Sequence, residues 1–284
     1  MIEVTGLNYR YKKASDTTLK DVNFHVERGE IFGFLGPSGA GKSTTQKIMI
    51  GLLSDYHGSV RINGQEMKRK KKDFYEHIGV AFEFPNFYHK LTGLENMNLF
   101  RGLYTRETTD PMALLKQVGL EDAANLRFHK YSKGMKMRLN FCRALLNDPD
   151  ILFLDEPTSG LDPNNSKLLK NIMLQKKKEG KTIILTTHHM HLAEELCDRV
   201  AFMVDGKLAL IDSPSNLKQG NMEKRVHVEY MEGSHPDISS FPLQTLAENG
   251  AFHRLLSSKK ILSIYTKERT LEEVFLEVTG RSLQ

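Results

Sequence analysis

The sequence predicts an α/β fold, with a layered core around a mainly parallel central sheet. Apolar strand-like runs alternate with helical stretches through most of the chain, which is the pattern that strand–helix–strand units produce. These runs lie at about residues 2–9, 22–26, 31–35, 58–62, 78–83, 151–154, 182–187, 199–204 and 207–211. Glycine-rich or polar motifs follow several of them, and ligands of such sheets bind beyond the carboxyl ends of the strands.

The composition is that of a folded globular protein. Of the 284 residues, 39% are hydrophobic and 26% are charged, and the net charge is only +5, so disorder is not indicated. The basic runs at 68–72 and 176–178 are typical of solvated faces, with nucleic acid or anionic lipid contact as the less favoured alternative. Cys142 and Cys197 are expected to be buried reduced thiols, which indicates the cytoplasm.

The sequence does not predict a membrane span or a secretion signal. No apolar run reaches the roughly 18 residues that a membrane-spanning helix needs. The opening MIEVTGLNYR lacks the apolar centre of a signal peptide. Any membrane role is therefore expected to need a separate partner chain.

A glycine-rich turn between a strand and a helix predicts a nucleotide site. The stretch IFGFLGPSGAGKST fits the spacing G-x-x-x-x-G-K-S. Its glycines let successive N–H groups point at phosphate oxygens, Lys42 would neutralise the terminal phosphates, and Ser43 would ligate Mg²⁺. A chance glycine turn is the alternative, which the strand–loop–helix context disfavours. The predicted nucleotide-binding residues of this loop are Gly36, Pro37, Ser38, Gly39, Ala40, Gly41, Lys42, Ser43 and Thr44.

Two further strands end in residues suited to metal binding and hydrolysis. The run ILFLDE places Asp155 where it would hold Mg²⁺ and Glu156 where it would act as general base for an attacking water. The run TIILTTHH ends in His188, whose imidazole would reach a γ-phosphate and the water. The alternatives are a plain acidic turn that Pro157 ends, and a structural histidine.

The stretch KYSKGMKMRL predicts a helix that begins after Ser132, because Ser is a preferred N-cap and apolar side chains follow at helical spacing. Lys133 and Lys136 lie in its first turn, where the partial positive charge of the N–H groups disfavours cations. A bound phosphate would make positive charge favourable there. The simpler alternative is a pair of solvated lysines behind an ordinary N-cap.

Five motifs, taken in order, resemble those of one ATPase family. GPSGAGKST, YSKGM, ILFLDEP, SGLDP and TTHH are similar to the Walker A, signature, Walker B, D-loop and switch-histidine motifs of ATP-binding cassette (ABC) transporter ATPases. The resemblance covers about residues 1–215. It implies a P-loop NTPase core, an antiparallel N-terminal β subdomain, and an ATPase that uses ATP and Mg²⁺.

The resemblance also implies an active site that two subunits share. In this family the subunits dimerise head to tail, so Ser132, Lys133 and Gly134 would face a γ-phosphate on the phosphate loop of the other subunit. Asp162 of the D-loop is expected among the nucleotide-binding residues as well. Because Pro163 follows it, Asp162 is also suited to begin a helix as the N-cap.

Some positions depart from the family pattern or leave a choice open. The signature commonly reads Leu-Ser-Gly-Gly-Gln, whereas Lys133 occupies one of its variable places here. Glu83 stands where the Q-loop glutamine is usual, so it keeps an oxygen for Mg²⁺ but loses an N–H donor.

Tyr11 is favoured over Tyr9 for stacking on adenine, and the alternative is that one or both pack against strands. The predicted catalytic residues are Glu156, His188, Lys42 and Glu83, and the predicted metal ligands are Ser43, Glu83 and Asp155.

The pattern divides the chain into a nucleotide-binding domain at 1–214 and a small α+β appendage at 220–284. A mainly helical insert at about 86–147 would carry the signature. In the appendage, RVHVEY and ILSIY predict strands, and TLEEVFLEVTG predicts a helix with a Thr270–Glu273 capping box. The closing TLEEVFLEVTGRS resembles the tails of bacterial export-type ATPases, including those linked to antibiotic resistance and to sodium or drug efflux.

These features predict the ATP-binding and ATP-hydrolysing subunit of an ABC exporter. Nucleotide-driven closure of a homodimer, or of two paired ATPase subunits, would act on a separate integral membrane subunit at the inner face of the cell membrane. No nucleic acid partner is expected. The alternative is a soluble ABC ATPase that acts on ribosomes or DNA, although such proteins usually carry two cassettes or a long coiled coil. A guanine-nucleotide switch is disfavoured, because the chain lacks an Asn-Lys-x-Asp motif.

Four aromatic residues flank Glu83 at the junction of the sheet and the helical insert. They are Phe82, Phe84, Phe87 and Tyr88. Aromatic side chains are enriched in the cores of interfaces, so part of this cluster is expected to line the groove where the membrane subunit docks. The alternative is that these residues only pack the junction.

Overall fold

The computed structural model describes residues 1–12, 14–219, 225–266 and 269–281. Within these ranges the elements are β1 (Ile2–Tyr9), β2 (Leu19–Val26), β3 (Ile31–Leu35), α1 (Lys42–Met49), β4 (His57–Ile62), β5 (Gln65–Glu66), β6 (Ile78–Ala81), α2 (Gly93–Arg101), α3 (Pro111–Gln117), α4 (Lys133–Leu145), β7 (Ile151–Asp155), α5 (Pro163–Lys178), β8 (Thr182–Thr187), α6 (Met190–Leu196), β9 (Arg199–Val204), β10 (Lys207–Asp212), α7 (Pro214–Gln219), β11 (Arg225–Glu232), β12 (His235–Pro242), α8 (Gly250–Ser258), β13 (Lys260–Thr266) and α9 (Leu271–Thr279). None of the described helices has the length and apolar composition that crossing a membrane requires.

Six strands form a central sheet in the order β10-β9-β3-β8-β7-β6. The strands from β9 to β6 are parallel, and β10 at the edge runs antiparallel to β9. Every residue of β3, β7 and β8 is buried, as expected for strands that are covered on both faces. The predicted α/β core with a mainly parallel sheet is therefore confirmed.

The carboxyl ends of β3, β8, β7 and β6 meet at one edge of this sheet. Leu35 at the end of β3 is in register with Thr187 at the end of β8, and β7 and β6 continue the same edge. The segments that leave this edge carry the phosphate loop, Glu83, Glu156 and His188. The topology thus collects residues that are far apart in the sequence.

A second sheet near the N-terminus has the order β2-β1-β4-β5, and all of its pairs are antiparallel. It shares a core with α1 and with one face of the central sheet. Phe24 of β2 contacts Phe32 and Phe34 of β3, with ring centroids 5.6 and 5.1 Å apart. The antiparallel N-terminal sheet is as predicted, whereas the two-residue strand β5 was not predicted.

The segment predicted as a mainly helical insert contains α2, α3 and α4. Thr92 and Glu95 form a capping box at the start of α2, and Ser132 is the N-cap of α4, as expected. Asn140 of α4 is buried and donates a hydrogen bond to the backbone oxygen of Phe82 at 2.7 Å. This bond ties the insert to the segment that follows β6.

The C-terminal region divides between two cores. Strands β12-β11-β13 form a small antiparallel sheet that packs against α8 through Val226, Val228, Phe241 and Phe252. Helix α9 packs instead into the main core, where the ring of Phe275 lies 5.2 Å from that of Phe202 on β9. The boundary between 1–214 and 220–284 remains a prediction, but by packing α9 belongs to the first unit. Neither β12 nor α8 was predicted.

Both cysteines are buried and free, as the composition indicated. Burial raises the pKa of the thiols of Cys142 and Cys197. These thiols therefore behave as small apolar side chains in the core rather than as nucleophiles.

Candidate active site

The phosphate loop connects the end of β3 to the start of α1 and depends on glycine at two of its positions. A Cβ on Gly36 would lie only 2.1 Å from the backbone oxygen of Met203 on the neighbouring strand β9, so a side chain there is excluded. Gly41 is the N-cap of α1 and has a φ of 110°. L-residues disfavour such angles, so these glycines let the backbone curl in front of the helix N-terminus.

Lys42 folds back across the loop. Its ammonium donates hydrogen bonds to the backbone oxygens of Gly36 and Pro37 at 2.6 and 2.9 Å. Burial lowers the pKa of Lys42, and the nearby carboxylates of Glu156 and Asp155 oppose this effect. The side chain is only 8% exposed, so its charge acts within the site rather than toward bulk solvent.

Asp155 ends β7 beside the first turn of α1. Its Oδ1 accepts hydrogen bonds from the hydroxyl of Ser43, at 3.3 Å, and from the hydroxyl of Thr186 on β8. Hydroxyl and carboxylate oxygens are the ligands that Mg²⁺ prefers. The donor chemistry of Ser43 and Asp155 therefore fits this ion, and the side chain of Glu83 lines the same cavity.

Glu156 follows β7 directly, and its backbone has a φ of 48°. This left-handed conformation costs a non-glycine residue about 1–3 kcal/mol, so the surrounding structure must hold Glu156 in it. The carboxylate is held from both sides, because Oε1 accepts from Nδ1 of His188 at 2.6 Å and Oε2 accepts from the hydroxyl of Thr187 at 3.0 Å. The backbone N–H of His188 also donates to Oε1 at 2.9 Å.

These groups open into one cavity of about 400 Å³. Its lining includes most of the side chains that the sequence predicts for phosphate, metal and water. The lining residues are Ser38, Gly39, Ala40, Gly41, Lys42, Ser43, Glu83, Asp155, Glu156 and His188. The structure therefore assembles residues from four strand ends around a single polar cavity.

Tyr11 lies beside the start of α1. Its hydroxyl is 3.2 Å from that of Thr44, and its ring meets the ring of Tyr9 edge to face with centroids 5.0 Å apart. Tyr11 is 36% exposed, whereas Tyr9 is 7% exposed and belongs to the core of the N-terminal sheet. Only Tyr11 therefore offers an accessible ring next to the loop.

The signature residues lie apart from this cavity. Ser132 accepts a hydrogen bond from the N–H of Met135 at 3.2 Å, and both Ser132 and Lys133 are exposed. The side chain of Lys133 runs across the D-loop, since a Cβ on Gly160 would lie 2.6 Å from its Cε. None of Ser132, Lys133 and Gly134 lines the cavity of the phosphate loop in the same chain.

Asp162 caps α5, as predicted. Its Oδ1 accepts from the N–H groups of Asn164 and Asn165, both at 3.0 Å, and Pro163 occupies the first turn. The hydrogen bond from Asn165 is the largest of several that lower the pKa of Asp162. Two other D-loop residues, Gly160 and Leu161, lie beside Lys133 and Gly134 at the start of α4.

Sequence reasoning missed the two threonines that end β8. Thr186 bonds to Asp155 and Thr187 bonds to Glu156, and both are fully buried. Their signal was present in the run TTHH, where two polar residues end an otherwise apolar strand. Such residues need partners when buried.

The aromatic cluster near Glu83 separates into two kinds of residue. Phe87 is 4% exposed and packs against Phe100 and Phe128, so for this residue the packing alternative is correct. Phe84 and Tyr88 are 77% and 60% exposed. Phe82 is partly buried and packs against the core that contains the N-terminal sheet. Of the four, Phe84 and Tyr88 therefore remain the candidates for a docking surface.

Comparison with known families finds two matches along the chain. The family described as ABC transporter matches residues 19–159, and the family described as the fluoroquinolone efflux ABC transporter C-terminal domain matches residues 224–268. The first match includes the phosphate loop, the signature and Glu156. The second covers β11 to β13.

Relatives and solved structures agree with this assignment. The chain is 52% identical over 284 residues to a fluoroquinolones export ATP-binding protein of Mycobacterium tuberculosis, covering 100% of this chain and 94% of the relative. It is 33% identical over 289 residues to the Nod factor export ATP-binding protein I of Paraburkholderia xenovorans, covering 94% of each. A dimeric ATP-binding cassette in a post-hydrolysis state, bound to ADP and Pi, matches with a TM-score of 0.68 and 28% identity over 75% of this chain and 98% of that one. The chain belongs to the ABC transporter family of ATPases, and the family prediction from its motifs is confirmed.

Proposed function

We propose that this chain is the ATP-hydrolysing subunit of an exporter and that it works with a separate integral membrane subunit at the cytoplasmic face of the membrane. The observation that carries the proposal is the Glu156–His188 pair, which shares one cavity with Lys42 and Ser43. The relatives described above are named export ATP-binding proteins, and none of them is named as acting on ribosomes or DNA. The ribosome or DNA alternative is therefore not retained.

The phosphate loop would hold the triphosphate of ATP. The residues at the start of α1 line the cavity, so their N–H groups would face the phosphates, and the helix dipole adds partial positive charge. Lys42 would exchange its two backbone oxygens for phosphate oxygens, which are stronger acceptors because they are charged. Tyr11 would stack on the adenine, since its ring is accessible beside Thr44.

Ser43, Asp155 and Glu83 would hold Mg²⁺. Mg²⁺ at this position would supply positive charge that offsets the negative charge developing on the phosphates during hydrolysis. The hydroxyl of Thr186 keeps Asp155 oriented from β8, so this carboxylate stays fixed at the end of its strand. Glu83 is exposed and lies in a loop, whereas Asp155 is buried at the end of β7.

Glu156 would take a proton from the attacking water. Its side chain is buried and is held by Thr187 and His188, so it has one orientation in which to accept that proton. His188 is 47% exposed at the side chain, so it is free to turn from Glu156 toward a γ-phosphate. In this mechanism Glu156 is the fixed general base, and His188 is the imidazole that moves toward the phosphate.

The exposed start of α4 would complete the site of a second subunit. Ser132, Lys133 and Gly134 would contact the γ-phosphate on the other chain, with Asp162 and the D-loop beside them. Helix α4 has thirteen residues and no acidic residue in its first turn, so its N-terminus is suited to an anion. The solved relative cited above is a dimer, which supports an assembly of this kind.

Phe84 and Tyr88 would contact the membrane subunit. Both follow Glu83, so a movement of the docking surface would reach the metal site through a single short loop. Such large exposed aromatic side chains are typical of binding surfaces. Phe87 would support this loop from within the core instead.

The test is reconstitution with a membrane partner. A tagged chain should co-purify with one integral membrane protein of the same cell, and the pair in vesicles should move substrate only when ATP is supplied. Fluoroquinolones are the first substrates to try, because a relative is named for their export. The Glu156→Gln chain should still form the complex but transport nothing. Transport at the normal rate with that variant, or failure to find any membrane partner, would contradict the proposal.

A further inference from the structure

Three side chains of types that can bind metal ions lie together where β7 and β8 end. Glu156, His188 and His189 each offer one ligand atom, and all three atoms lie within 4.8 Å of one another. The two imidazole rings are stacked obliquely, with centroids 4.1 Å apart and planes at 37°. His189 has no role in the proposed hydrolysis, so its place in this cluster needs a separate explanation.

One buried hydroxyl positions the cluster. The hydroxyl of Thr187 donates to Oε2 of Glu156 at 3.0 Å and accepts from the backbone N–H of His189 at 3.0 Å. It therefore fixes the carboxylate and the backbone of His189 relative to each other. His189 is the N-cap residue of α6, but its side chain makes no capping bond, so the imidazole is not needed for the helix.

The donor types select the kind of metal. Two imidazole nitrogens and one carboxylate oxygen suit Zn²⁺ and related first-row ions, whereas Mg²⁺ prefers oxygen ligands only. This set differs from the oxygen ligands of Ser43 and Asp155. A tetrahedral zinc ion with bonds of about 2.0–2.1 Å holds its ligand atoms about 3.4 Å apart. The ligand atoms here span 2.6 to 4.8 Å, so modest rotation of two exposed imidazoles reaches that spacing.

We propose that Glu156, His188 and His189 form a binding site for Zn²⁺ or a similar transition-metal ion. The ion takes the place of the hydrogen-bonded proton between Nδ1 of His188 and Oε1 of Glu156, and that proton is released or moves to Nε2. A fourth coordination position remains for water. The site is built from this chain alone and does not need a second subunit.

The consequence for activity rests on the proposed function. A zinc ion on Oε1 of Glu156 occupies the lone pair that would accept a proton from water, and it holds His188 away from the γ-phosphate. The phosphate loop is untouched, so ATP still binds. Zinc therefore acts as an inhibitor of hydrolysis and not as a competitor of nucleotide.

Calorimetric titration of Zn²⁺ into the full-length chain, without nucleotide, tests the site directly. We expect one zinc per chain at this site and a loss of affinity of at least about 100-fold in His189→Gln, since losing even a second-shell partner costs 10- to 100-fold. His191→Gln is the matched control, because His191 is 84% exposed on the same helix and lies outside the cluster. Unchanged zinc affinity in His189→Gln, with its helical content intact by circular dichroism, overturns the metal site.

Hydrolysis assays with excess Mg²⁺ and ATP then test the consequence. Added Zn²⁺ should inhibit the normal chain and His191→Gln, a chelator should reverse this, and His189→Gln should keep its basal rate and resist inhibition. Zinc that binds at this site without slowing hydrolysis overturns the role of Glu156 and leaves the metal site standing. Zinc inhibition that persists equally in His189→Gln overturns the link between this site and activity.

Discussion

The phosphate-loop edge of the central sheet and the start of α4 are built in opposite ways. At the sheet edge, Lys42, Asp155 and Glu156 are each no more than 8% exposed, and each has hydrogen-bond partners in the same chain. At the start of α4, Ser132 and Lys133 are exposed. The ammonium of Lys133 has no ion pair or hydrogen bond with any residue that the structure describes.

The difference is the one we expect if each chain completes only half of the proposed active site. A buried polar group without a partner is costly, so the sheet edge must satisfy its own charges before a ligand arrives. The start of α4 carries free N–H groups and a cation in contact with solvent, so it is free to accept an anion from elsewhere. We interpret the first region as a finished half-site and the second as the half that is offered to a partner.

Glu156→Gln gives the largest expected effect and tests the finished half. The amide keeps the shape of the carboxylate but cannot take a proton from water, so hydrolysis should fall by ~10²–10⁴-fold while ATP affinity is preserved. Single-turnover hydrolysis and calorimetry measure the two quantities separately. Glu179→Gln serves as the control at an exposed carboxylate at the end of α5. Full hydrolytic activity in Glu156→Gln would remove this residue from the mechanism.

Mixing two inactive variants tests the division between the halves. Lys42→Ala should weaken ATP binding by about 10- to 100-fold, as expected for hydrogen bonds from a charged donor. Ser132→Arg should prevent the start of α4 from reaching the phosphate on the other chain. Each alone should show no ATP-driven dimerisation or hydrolysis, whereas heterodimers contain one site with both lesions and one with neither, so activity should partly return.

Tethered pairs with a single intact site provide the control for this experiment. They distinguish two explanations for a mixture that recovers no activity. Either the signature acts on the site of its own chain, or both sites must be intact for hydrolysis. A Ser132→Arg homodimer with normal hydrolysis would show that the start of α4 is not part of the active site. Differential tags should first establish that the heterodimers form.

The residues that the sequence predicts for the phosphate-loop cavity do meet in one place in the structure, because local patterns mark them. The strand–loop–helix pattern, the glycine positions and the polar residues after apolar strands all lie within short segments. The N-caps Ser132, Asp162 and Thr270 were also correct, since a cap depends on neighbours within three residues.

Long-range packing was the part that the sequence did not reveal. Helix α9 carries a local capping signal, but nothing nearby indicates that Phe275 packs against Phe202 on β9 rather than within the C-terminal sheet. The burial of Phe87, beside exposed Phe84 and Tyr88, likewise depends on rings from α2 and from the segment before α4. The bonds of Thr186 and Thr187 cross between strands whose order the sequence does not state.

Tyr11→Ala tests whether the finished half extends to the adenine. Stacking of a base on an aromatic ring is worth about 1–3 kcal/mol, so ATP affinity should fall by about tenfold or somewhat more. Tyr11→Phe keeps the ring and should bind ATP nearly as well, although it loses the contact with the hydroxyl of Thr44. Fluorescence titration with ATP measures both variants. Equal loss in Tyr11→Phe would assign the effect to the hydroxyl and leave the adenine without a stacking partner here.

Lys133→Met has the smallest expected effects, and their opposite signs make them informative. A cation in the first turn of α4 opposes the helix dipole, so its removal should stabilise the chain without nucleotide by about 0.3–1 kcal/mol at low salt. Methionine keeps the aliphatic contact with Gly160. If Lys133 meets a phosphate on the other chain, the same variant should weaken ATP-driven dimerisation several-fold. Thermal unfolding and sedimentation with ATP measure the two effects.

Lys136→Met is the matched control, because Lys136 lies in the same turn but its ammonium sits 5.4 Å from the centre of the Phe128 ring. It experiences the same helix dipole, yet it faces its own chain, so its loss should leave ATP-driven dimerisation unchanged. If neither variant changes ATP-driven dimerisation, Lys133 does not meet a phosphate on the other chain. An equal loss in both variants would assign the effect to the general charge of this turn and not to Lys133. A stabilised Lys133→Met chain that dimerises less well would show that this position has kept an unfavourable charge because a partner's phosphate compensates for it.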